Sequence, residues 1–216
     1  MGIKPVSSQT LQRLPQYLNY LKSLPENTAA NISATGIAEA LGMNDVQVRK
    51  DLAMISDGGR PKIGYVREDL IGDIEAFLGY DDADTAVIAG AGYLGRALLS
   101  YGGFADYGLD ILAAFDTDEN VIGAQVSGKE ILDAEKMTRL CRRMNIRIGI
   151  ITVPAAQAQS ACDALVAGGV SAIWNFAPVH LRVPAGVLVR NENMACSLAM
   201  LSKHLRETWT SAAPTR

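Results

Sequence analysis

Six consecutive residues of the 216-residue chain have the spacing of a phosphate-binding turn. They are Gly90-Ala91-Gly92-Tyr93-Leu94-Gly95, and they directly follow the apolar run 86–89. In a strand, turn and helix of this kind, the first glycine permits a tight bend and the second lets a pyrophosphate approach the backbone, while the third allows close packing of the helix. Free N–H groups at the start of the helix then donate to the phosphates. The spacing predicts a dinucleotide site.

An acidic residue stands where the ribose of a dinucleotide is expected. Asp116 ends a second strand-like run, 110–115, at about 20 residues beyond the glycines. A carboxylate there accepts hydrogen bonds from the ribose hydroxyls and repels a 2′-phosphate, which favours NAD(H) over NADP(H). The alternative is that Asp116 only caps the turn after it. We expect the ribose role, because the fold places an acid at this position.

Two later strand-like runs, 147–153 and 172–176, end close to prolines. The carboxyl ends of parallel strands form the edge at which open α/β sheets bind ligands. We therefore expect the nicotinamide side of the pocket at this edge, with contributions from Val153, Pro154, Asn175 and Phe176. The alternative, that the prolines only end their strands, is equally compatible with each residue taken alone.

The chain offers little acid–base chemistry beside this site. His180 is the only histidine near the strand ends, and no Tyr-x-x-x-Lys pair or zinc-ligand cluster occurs in the sequence. A dehydrogenase needs a proton donor or acceptor next to the nicotinamide. We therefore expect a regulatory dinucleotide, no catalytic residues and no metal. A small NAD-dependent oxidoreductase with an accessory helical domain, and a CoA-binding module on the same fold, are the alternatives.

The first 80 residues have a helical pattern with the spacing of a helix-turn-helix. Ser33 is placed to cap a helix over 34–41, Gly42 to end it in a left-handed conformation, and Asn44 to cap a third helix. The third helix would face a major groove, and the segment 60–67 would form a β-wing. The expected DNA-contacting residues are Asp45, Gln47, Arg49, Lys50, Arg60 and Lys62. The alternative is a solvated helix face beside a charged loop.

Two kinds of element must position these residues. From Thr85 onward, short β-type runs alternate with helical segments, which predicts a parallel sheet covered by helices. Before that point the pattern is helical. Residues 10–24 have the apolar spacing of a helix that Ser7 or Ser8 could cap, but Pro15 suits only a first turn, so we expect the regular helix to begin near Leu14. The predicted fold class is α/β, with an N-terminal winged helix-turn-helix domain, a linker at 79–84 and a C-terminal Rossmann-like domain.

Composition restricts the classes of protein further. The chain is 49% hydrophobic with a net charge of −3, so any contact with nucleic acid must come from a local basic patch. Its three cysteines lack a paired spacing and fit buried free thiols in a reducing cytosol. The sequence has no secretory signal and no long apolar run. We expect a soluble, cytoplasmic protein that has no membrane partner.

Several strings, in order and spacing, resemble the Rex family of redox-sensing transcriptional repressors. They are Arg13-Leu14-Pro15, Val48-Arg49-Lys50-Asp51-Leu52, Gly64-Tyr65, Ala114-Phe115-Asp116, Thr152-Val153-Pro154-Ala155 and Asn175-Phe176-Ala177-Pro178. The resemblance implies a homodimer that binds a palindromic operator in double-stranded DNA. It further implies that NADH, replacing NAD+ as allosteric ligand of the Rossmann domain, releases the dimer from DNA without chemical turnover.

The resemblance also implies roles outside these motifs. Tyr101 would lie near the nicotinamide, and Arg13 would belong to a network that couples the domains. The chain would divide into a winged-helix domain (1–80), an NAD(H)-binding domain (84–192) and a dimerisation helix (193–208) that swaps between subunits. The apolar stripe of that helix is equally compatible with ordinary core packing.

The sequence departs from the family pattern in three places. Asn193 and Met194 stand where an acid followed by a large apolar residue is common, Ala53-Met54-Ile55-Ser56 replaces a Ser-Tyr-Phe-Gly run, and Arg60-Pro61-Lys62-Ile63 replaces a glycine-rich basic turn in the wing. An asparagine cannot form a charged pair with Arg13. The departures predict weaker or rewired coupling around Arg13 and a different operator sequence.

Overall fold

The structure, a computed structural model, describes residues 6–80 and 84–211. Residues 81–83 of the expected linker lie outside this range. The chain forms two compact units. The N-terminal unit comprises Met1–Asp82 and Asp106–Gly108, and the C-terminal unit comprises Ala83–Ala105 and Leu109–Arg216.

The described part of the N-terminal unit has the arrangement of a winged helix. Its elements are α1 (Ser8–Ser23), β1 (Asn31–Ile32), α2 (Ala34–Leu41), α3 (Asp45–Ile55), β2 (Tyr65–Val66) and α4 (Arg67–Leu78). β1 pairs antiparallel with β2, and a bridge between Arg60 and Gly64 closes the wing just before β2. The elements enclose a core built mainly from the buried faces of α1, α2 and α3.

Local side-chain chemistry sets the ends of α2 and α3 as the sequence predicts. The hydroxyl of Ser33 accepts from the backbone N–H of Gly36 at 2.9 Å, and the side-chain oxygen of Asn44 accepts from that of Gln47 at 3.1 Å. Gly42 ends α2 with a φ of +64°, a conformation that glycine adopts without strain. All three predictions are confirmed.

The expected start of the first helix is wrong. α1 begins at Ser8 because Ser7 caps it, its hydroxyl accepting from the backbone N–H of Thr10 at 3.1 Å. Pro15 therefore lies inside the helix, where it lacks the N–H that would donate to the preceding turn. The helix persists because Leu14 and Leu18 are fully buried in the core of the unit, and such packing outweighs local preference.

The C-terminal unit is a seven-stranded, mostly parallel sheet covered by helices. Its elements are β3 (Asp84–Ala89), α5 (Tyr93–Ser100), β4 (Leu109–Asp116), β5 (Gln125–Val126), β6 (Lys129–Asp133), α6 (Met137–Met144), β7 (Ile148–Ile151), α7 (Ala155–Ala167), β8 (Ala172–Asn175), β9 (Leu188–Asn191) and α8 (Met194–Ser211). The strand order is β5-β6-β4-β3-β7-β8-β9, and only β5 runs antiparallel to its neighbour. The chain order reverses at β3, so the binding crevice of such a sheet lies at the carboxyl end of β3.

The sheet is buried on both faces, as the apolar strands require. Ala86 and Ile88 of β3 pack into one core cluster, while the alternating Val87 and Ala89 pack into the other. The second cluster also contains Cys141 and Cys162, which confirms that these two thiols are buried. Burial raises the pKa of the Cys141 thiol to about 11, which keeps it protonated and unreactive at neutral pH.

Helix α8 is the exception to this burial. Every described side chain from Met194 to Arg206 is exposed, including the apolar Leu198 and Leu201 at 64% and 63%. Cys196 lies on this helix and is exposed as well, so the expectation of a buried thiol is wrong there. The reason is that none of the apolar side chains described for this helix, from Met194 to Leu205, belongs to either core of the C-terminal unit.

A short segment that follows α5 in the sequence is part of the N-terminal unit. After α5, a 3₁₀ turn spans Gly102–Tyr107, and Asp106–Gly108 belong to the N-terminal unit. The Tyr107 ring meets the edge of Tyr80 at a centroid distance of 5.4 Å, and its hydroxyl donates to the side-chain oxygen of Asn19 at 3.2 Å. Gly108 has a φ of +66°, and a Cβ there would lie 2.7 Å from the Tyr80 carbonyl oxygen. Only glycine fits this approach.

Candidate dinucleotide and nucleic-acid sites

The predicted glycine turn connects β3 to α5, and its glycines have different surroundings. Gly90 has a φ of +103°, and a Cβ there would lie 2.8 Å from a methyl carbon of Val153. A Cβ on Gly95 would overlap the Gly90 carbonyl oxygen. A Cβ on Gly92 would meet nothing within 4 Å, and α5 starts at the next residue. The turn is therefore closed on the protein side and open at Gly92, which fits a pyrophosphate approaching the helix start.

Asp116, at the end of β4, is bonded to the turn itself. One of its carboxylate oxygens accepts from the backbone N–H of Ala91 at 2.6 Å. The other accepts from the N–H groups of Thr117 and Asp118 at 2.7 and 3.0 Å. Asp116 therefore caps the following turn and also fixes the glycine turn. A carboxylate has about four acceptor positions, so one is left for a ribose hydroxyl.

Two more side chains of the motif region differ in exposure. Tyr93, the first residue of α5, is 99% exposed, while Leu94 is half-buried.

Arg96 directly follows the motif, although the sequence analysis gave it no role. Its Nε donates to the Ala91 carbonyl oxygen at 2.7 Å, which places a cation beside the turn. The pKa of Asp118 nearby is lowered by hydrogen bonds from Asn120 and, to a lesser degree, by the charge of Arg96.

The residues expected on the nicotinamide side lie at the carboxyl ends of β7 and β8. Val153 and Pro154 follow β7, and Phe176 follows β8. Asn175 is fully buried, and its amide group donates to the carbonyl oxygens of Ala177 and Val179 at 3.2 and 2.9 Å and to the side-chain oxygen of Asn191 at 2.8 Å. Its own oxygen accepts from the N–H of Ala177 at 3.0 Å. Asn175 therefore shapes the loop after β8.

Four aromatic side chains form a continuous row at this edge, which we call the ring row: Tyr101, Phe104, Trp174 and Phe176. Successive ring centroids are 4.9, 5.9 and 4.9 Å apart, within the range of favourable aromatic pairs. Tyr101, at the end of α5, remains 57% exposed. The row thus connects the helix that begins at the glycine turn with the end of β8. Sequence reasoning gave Phe104 and Trp174 no role, since their contact joins distant parts of the chain.

In the N-terminal unit, the residues expected to bind DNA fall into two groups. Lys50 is exposed, whereas Arg49 pairs with Asp45 at 3.2 Å and Gln47 donates to Asp51 at 2.9 Å. The second group, Arg60 and Lys62, belongs to the wing. Together with Arg49 these two cations line a cleft of about 510 Å³ between the start of α2, α3 and the wing. Three cations and the N-terminus of α2 together suit a phosphate group.

Asp51 is the centre of a buried polar network that sequence reasoning missed. The side chain of Asp51 is 1% exposed. It accepts from Arg13 at 2.7 and 3.0 Å, from the Tyr17 hydroxyl at 2.9 Å, from Thr10 at 3.2 Å and from Gln47. Arg13, which the family resemblance places in the coupling of domains, is thus held inside the N-terminal unit in this structure.

The network has clear electrostatic consequences. Burial alone would raise the pKa of Asp51, but hydrogen bonds from Arg13, Tyr17 and Gln47 and the charge of Arg13 outweigh it, so the pKa is lowered. Burial, followed by the bond to Asp51, raises the pKa of Tyr17 to about 12. Asp51 is therefore an anion and Tyr17 a neutral donor at neutral pH, and together they orient the Gln47 side chain at the start of α3.

The wing tip carries a backbone conformation that lysine rarely adopts. Lys62 has a φ of +66°, where L-residues other than glycine are strained by about 1 kcal/mol or more. We expect Lys62→Gly to stabilise the N-terminal unit by up to about 1 kcal/mol in denaturant unfolding. The same change should weaken DNA binding and reduce the slope of log affinity against log salt by about one for each phosphate that Lys62 neutralises.

Lys62→Ala provides the matched control. It removes the cation but keeps a Cβ in the strained conformation, so it should weaken DNA binding equally without the gain in stability. Unchanged salt dependence in both variants would remove Lys62 from the DNA-binding set.

Among the described residues, no group of three His, Cys, Asp or Glu side chains is placed to hold a metal ion, and no helix is long and apolar enough to cross a membrane.

Both units of the chain resemble known proteins. Residues 81–179 match the family model "CoA binding domain", and residues 5–53 match "Putative DNA-binding protein N-terminus". Relatives named "Redox-sensing transcriptional repressor Rex" include one from Porphyromonas gingivalis, 37% identical with 93% of this chain and 92% of the relative covered. Another, from Syntrophomonas wolfei, is 40% identical with 95% and 98% covered.

Solved structures agree with this comparison. The structure of RSP in complex with beta-NAD+ and operator DNA superimposes with a TM-score of 0.89 at 34% identity, covering 96% of this chain and 95% of the other. The structure of RSP in complex with beta-NADH gives 0.85 at 33% identity, covering 96% and 97%.

A winged-helix unit and a Rossmann unit with a glycine turn define a class of two-domain transcription regulators that respond to a nucleotide. The similarity extends over nearly the whole of the chain and of its relatives, and it includes both units. The chain belongs to the Rex family of redox-sensing transcriptional repressors. The predicted family is confirmed, and so is the predicted fold class of a winged-helix unit followed by a Rossmann-like unit.

Proposed function

We infer that the chain is a transcriptional repressor whose affinity for operator DNA falls when NADH replaces NAD+ in its Rossmann unit. The observation that carries this function is the bond between Ala91 and Asp116, which joins the phosphate-binding turn to the ribose-binding acid. RSP, a Rex-family repressor, has been solved with beta-NADH and with beta-NAD+ and operator DNA, which supports the same ligands here.

The dinucleotide extends across the carboxyl edge of the sheet. Its pyrophosphate lies over Gly92 at the start of α5, and its adenosine ribose donates to Asp116. Its nicotinamide lies toward Val153, Pro154, Tyr101 and Phe176, while Asn175 shapes the loop beside it. Other members of the motif, Gly90, Ala91, Tyr93, Leu94 and Gly95, form the turn itself. The dinucleotide is a regulatory ligand, and the protein supplies no chemical step.

The N-terminal unit holds the operator. α3 enters a major groove with Gln47, Arg49 and Lys50, and Asp45 orients Arg49. The cleft cations Arg60 and Lys62 contact the phosphate backbone or the minor groove from the wing. As a DNA-binding repressor, the protein acts in the cytoplasm.

The repressor is a homodimer that reads a palindromic operator, since two-fold protein symmetry matches two-fold DNA sites. Helix α8 is the dimerisation element, because its apolar side chains are exposed and a swapped partner helix would bury them. Asn193 begins this helix, its side-chain oxygen accepting from the N–H of Cys196 at 3.0 Å. The neutral residue at this family position thus serves as a helix cap.

NADH controls the repressor by binding one arrangement of the dimer more tightly than the other. A ligand shifts such an equilibrium only by its difference in affinity for the two states. The test is fluorescence anisotropy with DNA from the protein's own promoter, titrated with NADH and NAD+ in separate samples. We expect salt-dependent binding that NADH reduces and NAD+ does not. Steady NADH consumption with a small carbonyl substrate would instead establish an oxidoreductase.

The variant Asp116→Asn tests recognition of the ribose separately from folding of the turn. Because Asp116 also fixes the turn, its removal lowers affinity for every dinucleotide, so the informative quantity is the ratio of NADH to NADPH affinity. In the wild type the carboxylate repels a 2′-phosphate and the ratio should be large. We expect Asp116→Asn to reduce this ratio by about tenfold or more, as measured by NAD(P)H fluorescence titration. An unchanged ratio would refute the ribose assignment.

A further inference from the structure

The end of β8 and the start of α8 are joined by a dense set of contacts. β8 and β9 pair in parallel, with Trp174 opposite Arg190 and Asn175 opposite Asn191. Beyond the strands, the Glu192 N–H donates to the Asn175 carbonyl oxygen at 2.8 Å. Only Asn193, the cap of α8, separates Glu192 from the first residue of the helix. The position of Glu192 therefore affects how α8 begins.

Trp174 connects this junction to the ring row. Its indole ring packs between Phe104 and Phe176, and its Nε1 donates to a carboxylate oxygen of Glu192 at 3.1 Å. The indole has one N–H and so makes one such bond at a time. A displacement of Phe176 or Phe104 would move the indole and lengthen this bond.

Glu192 has a second neighbour, the cation Arg190, close to the same oxygen. The Nε of Arg190 lies 3.6 Å from the oxygen that accepts from Trp174, which is too long for a hydrogen bond but short enough for an ion pair. The Arg190 side chain is 65% exposed and free to move closer. Glu192 is thus held by a hydrogen bond from the indole and by a looser ion pair with the guanidinium, and the indole bond is the one that links it to the ring row.

We propose that Trp174 is a positioning residue that transmits nicotinamide binding to helix α8 through the hydrogen bond from its indole N–H to Glu192. The ring row senses the ligand at the edge of the sheet, and Glu192 passes the change to the helix that pairs the two copies. The inference rests on the proposed function, because it requires a nicotinamide at this edge and a dimer built on α8.

The test compares Trp174→Phe with the wild type as full-length protein. Phenylalanine keeps a ring in the row but lacks the N–H donor. We expect NADH affinity and DNA affinity without ligand to change less than about threefold, whereas the loss of DNA affinity that NADH causes should shrink by about fivefold or more. Glu192→Ala should reproduce this result, and Glu192→Gln should retain the NADH response, because its amide oxygen still accepts from the indole.

A spectroscopic measurement separates this role from a merely structural one. The chain has two tryptophans, and the indole N–H resonance that is missing from the NMR spectrum of Trp174→Phe is the resonance of Trp174. In the wild type, this resonance should shift when NADH is added. Gln159→Ala is the matched control, since Gln159 makes bonds of similar length to the backbone of Arg182 in the same unit, away from the row. We expect it to leave the NADH response unchanged.

The possible outcomes separate the proposed function from the inference. If NADH does not alter DNA binding by the wild type, the proposed function fails and the inference with it. If the wild type responds and Trp174→Phe responds equally, only the inference is overturned. It is also overturned if Trp174→Phe loses NADH binding, because Trp174 would then contact the ligand, or if the indole resonance does not shift.

Discussion

Replacing Gly95 with alanine is expected to abolish NADH binding and to destabilise the C-terminal unit. The new methyl group would overlap the Gly90 carbonyl oxygen and would lie 2.9 Å from the Thr152 hydroxyl. Thr152 donates to that same carbonyl at 2.8 Å, so the crowded atoms already hold the turn in place and cannot simply move aside. Crowding of backbone atoms on this scale lowers the free energy of unfolding by about 3 kcal/mol or more.

Gly92→Ala is the matched control in the same turn. Its Cβ would meet no protein atom within 4 Å, and its φ of −67° is allowed for alanine, so the fold should be unaffected. The methyl group would, however, occupy the space that the pyrophosphate needs. We expect an unchanged melting temperature and an NADH affinity reduced by about tenfold, or about 1.4 kcal/mol. Unaltered NADH binding in Gly92→Ala would mean that the turn does not hold a pyrophosphate.

Asp51→Ala is expected to have a comparable effect on the N-terminal unit. The change leaves Arg13 and the buried Tyr17 hydroxyl without their acceptor, and breaking a buried ion pair by removing one partner lowers the free energy of unfolding by about 3 kcal/mol or more. It also frees Gln47 at the start of α3. DNA binding should be lost, while NADH titration should still show a functional Rossmann unit.

Asp45→Ala serves as the control, because Asp45 is an acid on the same helix whose pair with Arg49 is exposed to solvent. Its replacement should change the stability by less than about 1 kcal/mol. Equal destabilisation by the two changes would show that the Asp51 network contributes nothing specific.

Acid titration examines the same network without a mutation. The pKa of Asp51 is lowered in the folded state, so its contribution to stability is complete above the unfolded value of about 4 and is lost as the pH falls through the folded value. The melting temperature of the N-terminal unit should therefore decline below about pH 4 in the wild type. In Asp51→Ala this part of the decline should be absent.

Local signals in the sequence were sufficient for much of the fold. Ser33, Gly42 and Asn44 act on their own turns, and the glycine turn combines a strand, a bend and a helix within a few residues. The hairpin of β5 and β6 was overlooked, although its turn residues Ser127 and Gly128 both have positive φ, as two-residue hairpin turns require. The Ser-Gly pair between Val126 and Lys129 was a usable signal.

Contacts between distant residues explain what the sequence could not predict. Asp51 meets Arg13 and Tyr17 across 38 and 34 positions of the chain, and Trp174 meets Glu192 across 18. Nothing in the neighbourhood of either residue indicates such a partner. Asn175 was expected at the ligand, but its burial and its bonds to Val179 and Asn191 depend on how β8 and β9 pair.

The segment Asp106–Gly108 belongs to the N-terminal unit, which limits how the protein can be cut into separate domains. A fragment ending at the linker would contain all four N-terminal helices yet lack Tyr107, leaving the Tyr80 ring and the Asn19 amide without the partner that meets them in the whole chain. The winged helix is therefore not contiguous in sequence and is not a module that a single cut releases intact. Gene fusions and domain exchanges should carry this segment with it.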